Sequence, residues 1–524
     1  MNTNKIIAAA AIGLCSLTAL SAWAQTEKYV EISTKGQYIT CPASDINYID
    51  VFDQLTPPTN VTATYSDGKI HLSWDEVEGA TSYNIFYSCD DIYSSYLEFS
   101  KSPYQYNIED TSYTIDTSGS DGSWNVFTNF NGIIYFYISA NGEGRRSALS
   151  DAAHVAKGRS KITVGTLCGY KSADDSQGTV YGPFETASGF NYEGSMAFDP
   201  LYPTRLYIAY NNYPNYGEIV QLDLETNTHT LLMSKSKFEN KRVRNCAFTK
   251  DGQYMLVSTD RDDNGNESPC VWIVKRNDDG TFSDESSMKL LAAYKQCNSV
   301  AVHPVNGEVY FTSYYGGEVC RIDIDNYFST VNESKEWDGT FGQSCFERLF
   351  SVMDPSWEIS ISIHPSGNYA YLNCINRRCI YRTDYDWNKK KFTTPYCVIG
   401  DYVIGGGKTG FMDGESYSAE IRRPYQGVFV KNSKYSGELD EYDYYFTDTQ
   451  NFCVRALSPT RKILRTITGR APYDDGNLWG TEDGSGFEAR FRDITGLAYD
   501  ENTKTFYVLD HENRRIRTIT IKDR

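Results

Sequence analysis

Histidine is scarce in this chain, six in 524 residues, at positions 71, 154, 229, 303, 364 and 511. So few imidazoles, so widely spaced, argue against a histidine-rich metal centre. Positive charge is also short: 50 Lys and Arg face 68 Asp and Glu, for a net charge of −18. A groove that tracks phosphates draws its energy from basic side chains and counterion release, so nucleic acid and anionic membrane surfaces are excluded as main partners. Beyond residue 24 no apolar run approaches the ~20 residues of a membrane-spanning helix. No C-x-x-C pair occurs, which argues against a zinc ribbon. Also absent are the G-x-S-x-G elbow, the P-loop and a G-x-G-x-x-G turn between strand and helix. No Ser or Cys pairs visibly with a His-Asp relay. What is abundant is aromatic: 42 Tyr and 25 Phe, with 40 Gly and 23% charged residues. That mix fits an ordered, β-rich globular protein.

Residues 1–24, MNTNKIIAAAAIGLCSLTALSAWA, read as an export signal. Lys5 gives the positive start, a mostly apolar stretch runs from Ile6 to Leu20, and Ala22-Trp23-Ala24 is the cleavage site. A lipid anchor at Cys15 is the less favoured alternative, because Leu14 and the apolar residues after Cys15 fit a lipoprotein signal poorly. The mature protein is expected in the periplasm, at the cell surface or secreted. Its cysteines are scattered mostly singly, so most read as small buried hydrophobes. Cys374 and Cys379, flanking a hairpin turn, are the best local disulfide pair. Residues 25–54 show no periodicity and read as a leader or linker.

Within residues 55–157 several strands are legible. In KIHLSW, Ile70, Leu72 and Trp74 alternate with Lys69, His71 and Ser73, after an Asp67-Gly68 turn. TSYNIFYS places Tyr83, Ile85 and Tyr87 on one face. YFYISANGEGRRSALS places Phe136, Ile138 and Ala140 on another. The Trp of the second strand, the Tyr of the third and the A-N-x-x-G-x-x-S ending resemble a fibronectin type III domain. Such domains are spacers or interaction modules, and Trp74 is expected in the core. Strands between 90 and 130 are not legible.

From residue 158 to 524 the chain repeats itself. RLYIAYNNYPNYGEIVQLD, EVYFTSYYGGEVCRID, YAYLNCINRRCIYRTD, YYFTDTQNFCVRAL and TFYVLDHENRRIRTI each combine an aromatic strand, a polar turn and a second strand. GSMAFDP, NSVAVHP, EISISIHP, YQGVFVKN and TGLAYDE precede them. VRNCAFTKDGQYMLVSTD with CVWIVKR makes a sixth unit. The D-x-x-N-x-x-I-R order of Asp510, Asn513, Ile516 and Arg517 resembles an NHL repeat, as does the set Asp448, Asn451, Val454 and Arg455. Gly-rich connections at 168–194, 400–427 and 469–496 add to the likeness. The resemblance implies a six-bladed β-propeller, in which ring closure buries both faces of each sheet. The last unit has only three strands, and KITVGTLCG at 161–169 reads as the fourth, joining the two ends of the ring. The fold class expected is therefore all-β: a six-bladed β-propeller behind a fibronectin type III-like β-sandwich.

In such a ring the turns between second and third strands gather at one mouth. They carry Tyr213, Tyr216, Tyr314, Tyr315, Asn376, Arg377, Gln450, Asn451, His511 and Glu512. Aromatic faces beside amides and guanidinium groups suit sugar rings or peptides. The competing view is that Tyr and Asn are simply good strand and turn residues. The Arg residues of the R-I-R strands read as structural. Asp260, Asp262 and Asn264, before Gly265, resemble half a calcium loop, but Val271 stands where an EF-hand needs Glu. A solvated acidic turn is favoured there, with calcium the only cofactor the sequence offers. His303 and His364 both precede Pro at one repeat position and read as structural. The expected function is non-catalytic: an exported protein presenting a propeller face to a glycan or a protein of the bacterial envelope. The combination looks like modular envelope proteins of Gram-negative gut bacteria, some of which capture glycans. The rivals are a metal-dependent propeller hydrolase or lyase, as in some relatives of the NHL class, and an envelope scaffold.

Overall fold

The computed structural model describes residues 29–522, except 35–36, 43–52, 92–102, 119–126, 128–131, 158–161, 170–178, 211–216, 263–270, 284, 295, 314–315, 331–344, 353–357, 401–409, 412, 417–418, 438, 461, 470–477 and 487. The export signal, Cys15, Tyr213, Tyr216, Tyr314, Tyr315 and Asn264 therefore lie outside the described residues.

The N-terminal unit is a β-sandwich. A three-stranded sheet of Thr62–Ser66, Lys69–Ser73 and Ser112–Asp116 accompanies a six-stranded sheet built around Ser82–Asp91 and Gly132–Gly142. Lys69–Ser73 buries every second residue, Ile70 and Leu72, as its alternation predicts. Trp74 is core: it is buried and its ring meets Tyr83 edge-on at 5.4 Å. The Tyr83 hydroxyl accepts a hydrogen bond from the Val77 amide at 2.9 Å. Two features depart from expectation. Residues of the leader are paired, as a hairpin of Tyr29–Thr34 with Gln37–Pro42, and Asp53–Leu55 runs parallel to Arg145–Ser147. The sandwich thus takes in part of the linker. Strands also occupy the polar span, at Gln105–Ile108 and Ser112–Asp116. There backbone pairing wins where apolar periodicity is weak, since a strand at a sheet's edge needs few buried side chains.

Among the described residues six further antiparallel sheets follow in chain order, two of four strands and four of five. Their innermost strands are Gly194–Phe198, Lys241–Phe248, Cys297–Val302, Ile359–Ile363, Pro424–Lys431 and Ile494–Asp500. Each packs on the next, and the last packs on the first, so the sheets close a ring. This is a β-propeller. Its closure is as the sequence predicts: Ile162–Cys168 pairs antiparallel with Arg515–Ile521 as the outermost strand of the sixth sheet. The first strand of the ring thereby belongs to its last sheet, and no long edge is left where the ring closes.

The cores of the ring lie between neighbouring sheets. Val430, Tyr445 and Val454 of the fifth sheet pack with Ile162, Phe506 and Ile519 of the sixth. The Gly-rich connections are not free loops throughout. Gly182–Pro183, Gly414–Glu415 and Gly484–Ser485 each pair with the outermost strand of the sheet that follows them. Cys168, Cys246, Cys297, Cys320, Cys345, Cys374, Cys379 and Cys453 are buried free thiols, and Cys397 is a half-buried one. Cys374 and Cys379 face each other across their hairpin without a disulfide. A short helix, Ile324–Thr330, was not legible in the sequence.

Candidate functional site at the mouth of the ring

The D-x-x-N-x-x-I-R residues build the wall of the mouth. Arg517 is fully buried and donates to Asp510 Oδ2 at 2.8 Å and to Asp483 Oδ1 at 2.6 Å. It also donates to the carbonyls of Glu482 and Arg490, at 2.7 and 3.0 Å. Asn513 joins Asp510 Oδ2 to the Gly480 carbonyl, at 2.9 and 2.6 Å. The fifth sheet repeats the device. Arg455 donates to Asp448 at 3.0 Å and Asp413 at 2.6 Å, and Asn451 donates to Asp448 at 2.8 Å and the Gly410 carbonyl at 2.9 Å. The R-I-R arginine is thus structural, as expected. Asn451 is not offered to a ligand, because it is buried and its amide is committed to pinning the connection into the blade. Burial pushes the Asp510 carboxyl up to about 6, with Arg517 opposing.

Five of the six sheets send charge into the mouth. Glu193, Glu358, Arg423 and Asp493 each stand immediately before an innermost strand, and Arg244 lies within one. Arg244 holds Asp260 Oδ2 through Nε at 3.1 Å and Nη2 at 2.7 Å. It also reaches Glu193 at 3.6 Å and Glu358 at 3.7 Å. Arg423 pairs with Glu193 at 2.6 Å and Glu358 at 3.5 Å. Two of these links join sheets that are not neighbours. Glu193 to Arg423 runs from the first sheet to the fifth, and Arg244 to Glu358 from the second to the fourth. Such links must cross the axis of the ring, which locates the cluster in the channel. Below it, Gln426 of the fifth sheet accepts from the Met196 amide at 2.8 Å, donates to the Met196 carbonyl at 2.8 Å and accepts from the Leu497 amide at 3.0 Å. Gln426 thus ties the innermost strands of the fifth, sixth and first sheets together, and the charged cluster at the mouth forms the bowl.

The electrostatics follow from partial burial. The Arg244 and Glu358 side chains are deep, at 7% and 8% exposed, whereas Glu193 and Arg423 keep 25% and 18%. Burial alone would raise the Glu193 carboxyl, but Arg423 and Arg244 outweigh it and hold it below its ordinary range. Burial and two neighbouring carboxylates, outweighing the nearby guanidinium groups, push the Tyr425 hydroxyl up. His511 is 7% exposed, and neither ring nitrogen has a hydrogen-bond partner. Burial lowers its pKa, so the ring stays neutral near pH 7 although Glu193, Asp493 and Glu512 face it.

Of the residues expected at the mouth, His511 takes part in the bowl, and so does Asp260, which the sequence offered as part of a calcium loop. Asp260 serves Arg244 through Oδ2, and its Oδ1 is buried without a partner. Asp262 ends the second strand of its sheet, opposite Lys241. Among the described residues no group of His, Cys, Asp and Glu is placed to hold a metal ion. Glu512 is exposed and reaches Arg492 at 3.7 Å. Asn376 and Gln450 are exposed and Arg377 is half-buried. Sequence reasoning missed Glu193, Arg244, Glu358 and Arg423, because each is an isolated charge beside a strand and only the ring brings them together. It also missed Trp479, whose half-exposed ring lies 4.6 Å from the Arg492 guanidinium on the connection pinned by Asn513. His303 and His364 sit at the far ends of their strands as structural groups. His303 Nε2 meets the Gly367 carbonyl at 3.0 Å, and His364 stacks on Tyr369 with ring centres 4.5 Å apart.

Fold and site together define a β-propeller with a charge-lined bowl, preceded by a β-sandwich. No protein-family model matches the chain. No curated protein matches it either. Solved structures do. A Bacteroides thetaiotaomicron protein provisionally named a phosphatase is 35% identical, with a TM-score of 0.64, covering 90% of this chain and 99% of its own. The chain belongs to the same family as that protein. An auxiliary nutrient binding protein from the same species is 27% identical, with a TM-score of 0.58, covering 89% of this chain and 97% of its own. A Bacteroides ovatus protein, also called an auxiliary nutrient binding protein, is 23% identical over 90% of this chain and 98% of its own, with a TM-score of 0.55, and shares the fold. No helix among the described residues is long and apolar enough to cross a membrane.

Proposed function

We propose that this is an exported, non-catalytic binding protein that captures a glycan in the bowl of a six-bladed, NHL-like propeller, with the fibronectin type III-like sandwich as a spacer. The observation that carries the reading is the network of two arginines and three carboxylates crossing the mouth. Its donors and acceptors are held in place before any ligand arrives, and fixed polar groups of both kinds are what adjacent hydroxyls require. The half-exposed Trp479 supplies an apolar face on which a sugar ring stacks. The name of the 27%-identical relative, a nutrient binding protein, agrees with this role. The leader of residues 1–24 accounts for export to the envelope.

The phosphatase name of the other relative fits the bowl less well. A phosphoryl group needs free guanidinium or metal charge, and both arginines here already hold carboxylates. Calcium at Asp260, Asp262 and Asn264 competes with the bond from Asp260 to Arg244. A glycan array followed by calorimetric titration tests the reading. Trp479→Ala is expected to weaken a bound glycan by about fivefold, since ring stacking is worth about 1 kcal/mol. Absence of any glycan binding, together with turnover of a phosphate ester, would overturn the proposal.

A further inference from the structure

The ion pairs of the bowl set two guanidinium groups, Arg244 and Arg423, against three carboxylates, Glu193, Asp260 and Glu358, and burial pushes up the carboxyl of Asp493 beside them. An excess of buried negative charge is costly unless a cation or a proton compensates it. His511 does not supply the cation, for it is neutral near pH 7. It stands where Glu193 and Asp493 face it, with Arg423 the nearest positive group, and both its ring nitrogens are buried and unpartnered. Asp260 Oδ1 is likewise buried without a partner. The bowl therefore holds unused acceptors and surplus carboxylate.

Resting on the binding reading above, we infer that the bowl selects a glycan through a primary ammonium group, that of an amino sugar, held by Asp493, Glu193 and the imidazole of His511. An ammonium offers three donors and no acceptor, and these three side chains offer acceptors. An anionic sugar acid meets the surplus carboxylates and finds both guanidinium groups already engaged. A neutral sugar leaves the charge uncompensated. A peptide amine meets the charge requirement, but a peptide also needs apolar pockets for its side chains, and the groups around His511 are Glu193, Asp493, Glu512 and Arg423.

The test compares glucosamine with N-acetylglucosamine on the full chain by calorimetry at a pH where the amine is charged. The two share a ring and differ in the charge. Glucosamine is expected to bind about tenfold or more tightly, the scale of a lost hydrogen bond between charged groups. Asp493→Asn should erase most of that difference. Asn tolerates the left-handed backbone at this position, φ 50°, so the variant keeps its fold, which its thermal transition checks. Equal binding of the two sugars, or preference for the acetylated one, overturns the ammonium inference and leaves glycan capture standing. Binding of triglycine amide with neither sugar bound overturns both.

Discussion

At the residue scale, burial decides what each polar group can do. His229 shows it away from the mouth. It lies between Tyr181 and Phe190, with ring centres 5.0 and 4.8 Å away, and burial lowers its pKa from 6.5 to about 4. The unfolded chain takes up this proton from about pH 6.5 downward, whereas the folded protein takes it up only below about 4. Stability from this site is therefore complete above pH 6.5 and is lost as pH falls towards 4. Urea unfolding at pH 7.5 and 4.5 should show His229→Phe losing about 2.5 kcal/mol less than the parent over that interval. An unchanged pH dependence would mean that the imidazole is hydrated in the folded state. The same principle explains why Asn451 and Arg455, alike polar and alike near the mouth, are wall rather than site. Both were legible as a repeat motif. The commitment of Asn451 was not, because the Gly410 carbonyl it pins lies 41 residues away in sequence.

At the scale of elements, the three Gly-rich connections share one device. Gly169, Gly400 and Gly469 each end an outermost strand with positive φ, at 89°, 90° and 99°. A Cβ there would meet the carbonyl of the left-handed residue in the neighbouring hairpin turn, at 2.2 Å from Arg514, 2.3 Å from Arg378 and 2.4 Å from Phe452. Gly144, at φ 76°, has nothing within 4 Å. Gly469→Ala should therefore cost about 2 kcal/mol or more, and Gly144→Ala only about 1 kcal/mol, in thermal or urea unfolding. Equal costs would show that the close approach is relieved by backbone movement. That Gly169 repeats the geometry of Gly400 and Gly469 marks Ile162–Cys168 as a true outer strand of the sixth sheet. Strand alternation made the hairpins readable from sequence, as in KIHLSW. The short pairings of Gly182–Pro183 and Gly484–Ser485 were not, since two residues carry no period.

At the scale of the whole molecule, ring closure turns isolated charges into a site. The repeat pattern and the three-stranded final unit sufficed to predict that the two ends of the ring join, because an incomplete sheet and a spare strand have one economical pairing. The bowl was out of reach for the opposite reason. Glu193 and Arg423, or Arg244 and Glu358, have no local signal, and sheets far apart in sequence bring them across the axis. Of the bowl's residues only His511 pointed there in advance. The central claim is that ligand is taken in this bowl and not on the sandwich or the outer strands. Hydrogen–deuterium exchange with and without a saturating glycan tests it most directly. Protection is expected in the segments around Glu193, Arg244, Glu358, Arg423 and Asp493, and in the turn carrying His511. Protection confined to the sandwich, or to the far end of the ring near His303 and His364, would contradict it.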